Sequence, residues 1–191
     1  RPCPQKIPSG PLTLLADGLG FHFQRKPWVL YLTALKSCAE KTAVFLDPIL
    51  LPGKEGAFRW QQVFAAIPPD HKARIRAMIV DNLNGMKRIA KQEEWVLQLC
   101  HFHLILKFQI QYRRGRRALK GGIVREDIYR LICQSIETPD ELLLNASLDR
   151  LTQLTQISCG TPRIQAVVRE FLQSVRYYRT YRTYPELNLP T

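Results

Sequence analysis

The sequence predicts an α/β fold, a mixed sheet joined to a wholly helical addition, on three observations. Segments rich in β-branched, aromatic and leucine residues follow one another closely between residues 12 and 50. Short apolar runs then alternate with stretches of helical period up to about residue 110. Beyond residue 123 only helical spacing remains.

The elements follow in order. Residues 1–11 hold four prolines and read as a linker. Leu12 to Phe23 is extended and interrupted by Gly18 and Gly20, Trp28 to Leu35 is a second extended segment, and Thr42 to Leu50 is a third. The short connections between them favour an antiparallel meander. From Lys54 the apolar residues Phe58, Val63, Phe64 and Ile67 take helical spacing, which Pro68-Pro69 stops. Arg76 to Val80 is a buried-strand run that ends in Asp81. Residues 83–94 return to helix, Trp95 to Leu99 is a further strand, and a helix starts near His103. In the last third, Thr138-Pro139-Asp140-Glu141 reads as a capping box with proline at the first helical position, and Thr161-Pro162 opens another helix. Three strands, then helix, strand, helix, strand and helix, resemble the ribonuclease H-like fold. The expected organisation is a linker over 1–11, an incomplete core over 12–122, a helical insertion over 123–178 and a connecting coil over 179–191.

The totals narrow the function. Lys and Arg number 28 against 16 Asp and Glu, a formal charge of +12 and a pI near 9.8. Such a surplus favours a polyanionic partner, because each neutralised phosphate releases condensed counterions. Five cysteines (Cys3, Cys38, Cys100, Cys133 and Cys159) are odd in number and scattered, which suits a reducing compartment better than a disulfide framework. No run approaches the roughly 18–20 apolar residues of a membrane span, and no signal peptide opens the chain.

Two acids have the placement that chemistry needs. Asp17 follows Leu14-Leu15-Ala16, and Asp81 follows Met78-Ile79-Val80. A carboxylate in an apolar strand is costly unless a cation compensates it. In a mixed sheet the first and fourth strands are central neighbours, so both acids converge on one edge. A divalent cation such as Mg²⁺ turns their repulsion into a site, and two metals so held can act on both oxygens of a phosphodiester. Taken singly, an acid closing a strand is as readily a surface or capping residue. Cys100 and His103 have the separation of half a zinc site, without a second pair; a buried thiol and a packed imidazole are the plainer reading. Lys107, Arg113, Arg114, Arg116, Arg117 and Lys120 form a basic cluster suited to phosphates, and a second tract from Arg176 to Tyr184 interleaves arginine with tyrosine.

The stretch Ile79-Val80-Asp81-Asn82-Leu83-Asn84-Gly85-Met86-Lys87, then Trp95, then Leu99-Cys100-His101-Phe102-His103-Leu104, resembles the bacterial insertion-sequence and Mutator-like DDE transposases. Leu14-Leu15-Ala16-Asp17-Gly18 is similar to the first catalytic segment of that family. The resemblance runs over about residues 12–110, and more loosely through the helical insertion. It implies Asp17 and Asp81 as ligands of Mg²⁺ or Mn²⁺, Cys100 and His103 as a supportive C(2)H pair, and cleavage and strand transfer on transposon-end and target DNA. It also implies a homo-oligomer on DNA in the bacterial cytoplasm, associated with the nucleoid, with no membrane partner. The family's third carboxylate is a Glu on a later helix. Glu170 and Glu186 do not match that position, so the third acid is expected outside these residues and the fragment is expected to be inactive. The alternatives are a non-catalytic nucleic-acid-binding remnant and a zinc-stabilised interaction domain built on Cys100 and His103.

Overall fold

A computed structural model describes residues 6–39, 42–108, 111–112, 115–116, 122–156 and 162–190. The chain forms two compact units: residues 1–100 with 180–191, and residues 101–179.

The first unit is built on a mixed sheet. Strands β1 (Leu12–Phe23) and β2 (Lys26–Ser37) pair antiparallel over their full length. Gly18 and Gly20 do not interrupt β1, because β2 supplies a partner at every position. The expected third strand is two short ones, β3 (Ala43–Phe45) and β4 (Ile49–Pro52), which pair separately with β2. Pro48, which has no N–H to give a ladder, lies in the break. Strands β5 (Ile75–Val80) and β6 (Val96–Leu99) are parallel to β1, in the order β3-β2-β1-β5-β6. Among the described residues the fold is therefore mixed α/β, with an open sheet of six strands.

Alternation along the strands gives the sheet two faces. On one, Leu14, Ala16, Tyr31 and Met78 are buried, and the helices α1 (Ala57–Ala65) and α3 (Met86–Gln92) bury Trp60, Phe64, Met86 and Ile89. A third helix, α2 (Pro69–Lys72), is a single turn started by its proline. Helix α1 begins three residues later than the Lys54 start expected from sequence, since Gly53 sits at φ +105° and the chain is still extended at Gly56. Gly85, at φ +94°, precedes α3, and a Cβ there would lie 2.5 Å from that of Ala57. On the other face, Ala77 and Ile79 form a small core with Leu189, against which Leu15, Val96, Cys100, Tyr181 and Leu187 pack.

Leu189 belongs to the segment expected as a connecting coil over 179–191. Its residues instead form a short helix α8 (Thr180–Thr183) and a 3-10 turn (Pro185–Leu187). Specific hydrogen bonds seat it: Thr180 Oγ1 donates to Leu97 O at 2.7 Å, Tyr181 N to Gln98 Oε1 at 2.9 Å, and Lys36 Nζ to Asn188 O at 3.1 Å. Gln98 is fully buried, so a missing partner there would cost the desolvation of an amide.

The second unit contains α4 (His101–Phe108), a minimal hairpin of β7 (Gln111–Tyr112) and β8 (Gly115–Arg116), and helices α5 (Gly122–Glu137), α6 (Glu141–Gln156) and α7 (Pro162–Tyr178). Helices α5, α6 and α7 pack pairwise around Ile132, Leu151, Val168 and Phe171, all at most 2% exposed. Helix α6 is capped by Asp140, whose Oδ1 accepts from Leu142 N and Leu143 N, and not by the Thr138 box expected from sequence. Thr138 Oγ1 accepts from Asp140 N and shapes the preceding turn.

Candidate metal-binding site

The central pair β1 and β5 runs parallel with Leu15 opposite Ile79. That pairing ends there; continued two steps further, it would set Asp17 opposite Asp81, the first residue past β5. Neighbouring strands lie about 4.8 Å apart, and opposed residues share a face. Each acid ends an apolar run, Leu14-Leu15-Ala16 or Met78-Ile79-Val80, whose burial fixes strand direction and register; Asp81 follows the end of β5, while Asp17 lies mid-way along β1.

Both acids line one cavity of about 10 Å³, together with Ala16, Gly18, Glu55, Trp60, Val80, Leu83 and Met86. That is room for about one water molecule, or for a small cation. Asp81 is half-buried and its Oδ1 accepts from Asn82 N at 2.6 Å, while Asp17 is exposed. The walls are mainly apolar, so a charge placed here is screened less than at an open surface.

Glu55 was not singled out by the sequence. It precedes α1 and accepts from the indole of the buried Trp60 at 2.8 Å. Its carboxylate lies against Gly18, where a Cβ would come within 2.5 Å of Oε1. The Asp17-Gly18 pair therefore leaves space for a third carboxylate approaching from the helix side. The available signal was Glu55 followed five residues later by Trp60, but it acquires meaning only once α1 is placed on the sheet. Burial, and after it the Glu55 charge, push the Tyr31 hydroxyl above its usual value.

The donor set suits a hard, oxygen-seeking cation: carboxylates, without thiolate or imidazole. Among the described residues, no group of three or more His, Cys, Asp or Glu is gathered closely enough to hold a metal ion by itself. Mg²⁺ binds through one or two carboxylates with water and substrate phosphate oxygens completing its shell, so the Asp17–Asp81 pair fits it.

The remaining residues named from sequence lie elsewhere. Cys100 closes β6, with its N–H on Val80 O at 2.9 Å and its thiol free. His103 is on α4, in the other unit, with its ring 5.7 Å from that of Phe102. Between them in sequence, His101 donates from Nε2 to Tyr178 O at 2.6 Å, and burial lowers its pKa despite that bond. Lys107 is paired with Glu170 at 2.6 Å, so its charge is balanced within the helical unit. Arg113, Arg114, Arg117 and Lys120 lie outside the described residues, and Arg116 is described only as backbone of β8. In the second tract, Tyr178 is buried and the Arg179 guanidinium caps the end of α5, donating to Ser135 O and Thr138 O. That part of the tract has a structural role that composition did not reveal. Glu186 lies in the 3-10 turn and is exposed.

No protein-family model matches the chain, and no curated protein matches it. Among the described residues, no helix is long and apolar enough to cross a membrane.

Proposed function

We propose that this chain carries part of the catalytic core of a metal-dependent polynucleotidyl transferase with a ribonuclease H-like fold, a transposase of the DDE type. The observation that carries this reading is the joint lining of one small cavity by Asp17 and Asp81, at the edge of the parallel β1–β5 pair. The strand order β3-β2-β1-β5-β6, three antiparallel segments followed by two parallel strands, supports it. So does the charge of +12.

In this reading Asp17 and Asp81 hold Mg²⁺ or Mn²⁺. Bound there, the cation would supply Lewis-acid stabilisation of charge at a phosphodiester. The protein's own part is positional. In this reading the neighbouring strands bring the two carboxylates to one cavity, the Asn82 N–H fixes one oxygen of Asp81, and Trp60 fixes Glu55 at the same cavity. Leu83 and Met86 line the cavity and limit competing water. DNA is the substrate and partner in this proposal, a homo-oligomer the working form, and a bacterial cytoplasm the setting.

The experiment is strand cleavage of end-bearing duplex DNA by a longer form of the protein that supplies the expected third acid. Cleavage is expected to require Mg²⁺ or Mn²⁺, to stop on chelation, and to leave a 3′-hydroxyl. DNA binding without cleavage at any metal concentration would replace this reading by the non-catalytic binding module.

A further inference from the structure

The outer half of the β1–β2 hairpin has no role in the site described above. Leu19, Phe21 and Phe23 occupy alternate positions of β1 and share one face, and they are 58%, 40% and 58% exposed. The same face carries Trp28, opposite Phe21, and Leu30, opposite Leu19; Leu30 is in turn paired with Leu50 on β4, itself 50% exposed. Isolated apolar residues on a surface need no explanation, but a contiguous strip implies an occupant. Charge indicates which kind. From Gly18 to Ser37 the hairpin contains no Asp or Glu, while His22, Arg25 and Lys26 sit at its exposed end, with Lys54 one residue beyond Gly53, whose N–H binds Pro27 O.

We propose that this face is a stacking platform for single-stranded nucleic acid. Bases stack on Phe21 and Phe23, and phosphates meet Arg25, Lys26 and Lys54. Aromatic rings displayed on an open sheet face beside cations suit unpaired bases, which offer a π-face whatever their sequence. Duplex DNA keeps its bases stacked on each other and leaves the rings unused. The two phenylalanines are two residues apart, about 7 Å along the strand. Asp17 alternates onto the same face of β1, two residues before Leu19. The inference rests on the reading of the Asp17–Asp81 cavity as a phosphodiester site, and adds that the substrate there is locally unpaired.

The test is fluorescence anisotropy of the 191-residue chain with a short labelled oligothymidylate and with a blunt duplex, in EDTA, over a range of salt. The oligothymidylate is expected to bind more tightly than the duplex and to quench tryptophan emission. That quenching belongs to Trp28, since Trp60 and Trp95 are only 2% and 7% exposed. Phe21→Ala with Phe23→Ala is expected to lower single-strand affinity about tenfold or more, with the salt dependence and the duplex affinity kept. Arg25→Ala with Lys26→Ala is expected instead to flatten the salt slope by roughly 1.4, about 0.7 for each single-strand phosphate no longer neutralised. All four side chains are exposed, and unchanged thermal melts confirm that the variants fold. Single-strand affinity unaffected by the phenylalanine pair overturns the proposal. So does a dimer that this pair converts to monomer without any change in single-strand affinity, which would make the face an interface between copies. Asp17→Asn separates the two readings: retained single-strand affinity in that variant supports the platform, whatever becomes of cleavage.

Discussion

In the longer form used for the cleavage test, Asp81→Asn and Asp17→Asn are each expected to lower metal-dependent strand cleavage at least about a hundredfold, close to 3 kcal/mol of transition-state stabilisation, while leaving the fold in place. The substitution keeps size and shape and removes one charge. At position 81 the amide oxygen can still accept from Asn82 N, so the turn after β5 is preserved. What disappears is an anionic ligand from a pair that by itself supplies only part of a cation's shell. Where the pair binds a cation, Mg²⁺ should raise the melting temperature of the unsubstituted chain more than that of either variant. Single-turnover cleavage and melts with and without Mg²⁺ measure both. Full cleavage by either variant would remove that acid from the site.

Trp60→Ala is expected to destabilise the first unit by roughly 3–5 kcal/mol, the usual loss for a large aromatic residue in a packed core. Trp60 is 2% exposed and stands at the centre of a chain of rings: edge-on to Tyr31 at 4.8 Å, tilted on Phe64 at 5.3 Å, with Phe64 in turn 5.8 Å from Trp95. This packing fastens α1 to the sheet. The substitution also leaves Glu55 without its indole donor at the cavity. Trp60→Phe keeps most of the ring packing and loses the hydrogen bond, so its cost should be clearly smaller. Urea midpoints of the two variants give the comparison. A cost below about 1 kcal/mol for the alanine would mean that α1 is not held by this ring.

The sheet was largely legible in the sequence, because its signals are local. Leu14-Leu15-Ala16 and Met78-Ile79-Val80 are apolar runs that end in acids and declare buried strands; only the second also marks a strand's end, since β1 continues to Phe23. The order of strands and helices followed from the change in period near Lys54. The features that were missed depend on distant partners. Gly18 reads as a strand breaker until Glu55 is placed against it. Thr138 reads as a cap until the chain shows Asp140 nearer the first free N–H groups. Arg179 reads only as one arginine of a tyrosine-interleaved tract until the last carbonyls of α5 come into its reach. The coil expected over 179–191 became ordered structure because Gln98 and Lys36, polar side chains buried in the sheet, needed its backbone as partners. Of the candidate site, the placement of Asp17 within β1 and of Asp81 directly after β5 was readable from the apolar runs before them. Glu55 was not, since its place depends on the path of residues 53–56 between β4 and α1.

The most direct measurement is crystallographic: crystals of the chain soaked in Mn²⁺, with the metal located by its anomalous scattering. A peak bridging the carboxylates of Asp17 and Asp81, at about the 2.0–2.6 Å typical of hard divalent cations on oxygen from each, is the expected result. No peak there at saturating Mn²⁺, or side chains turned away from a shared centre, would contradict the account.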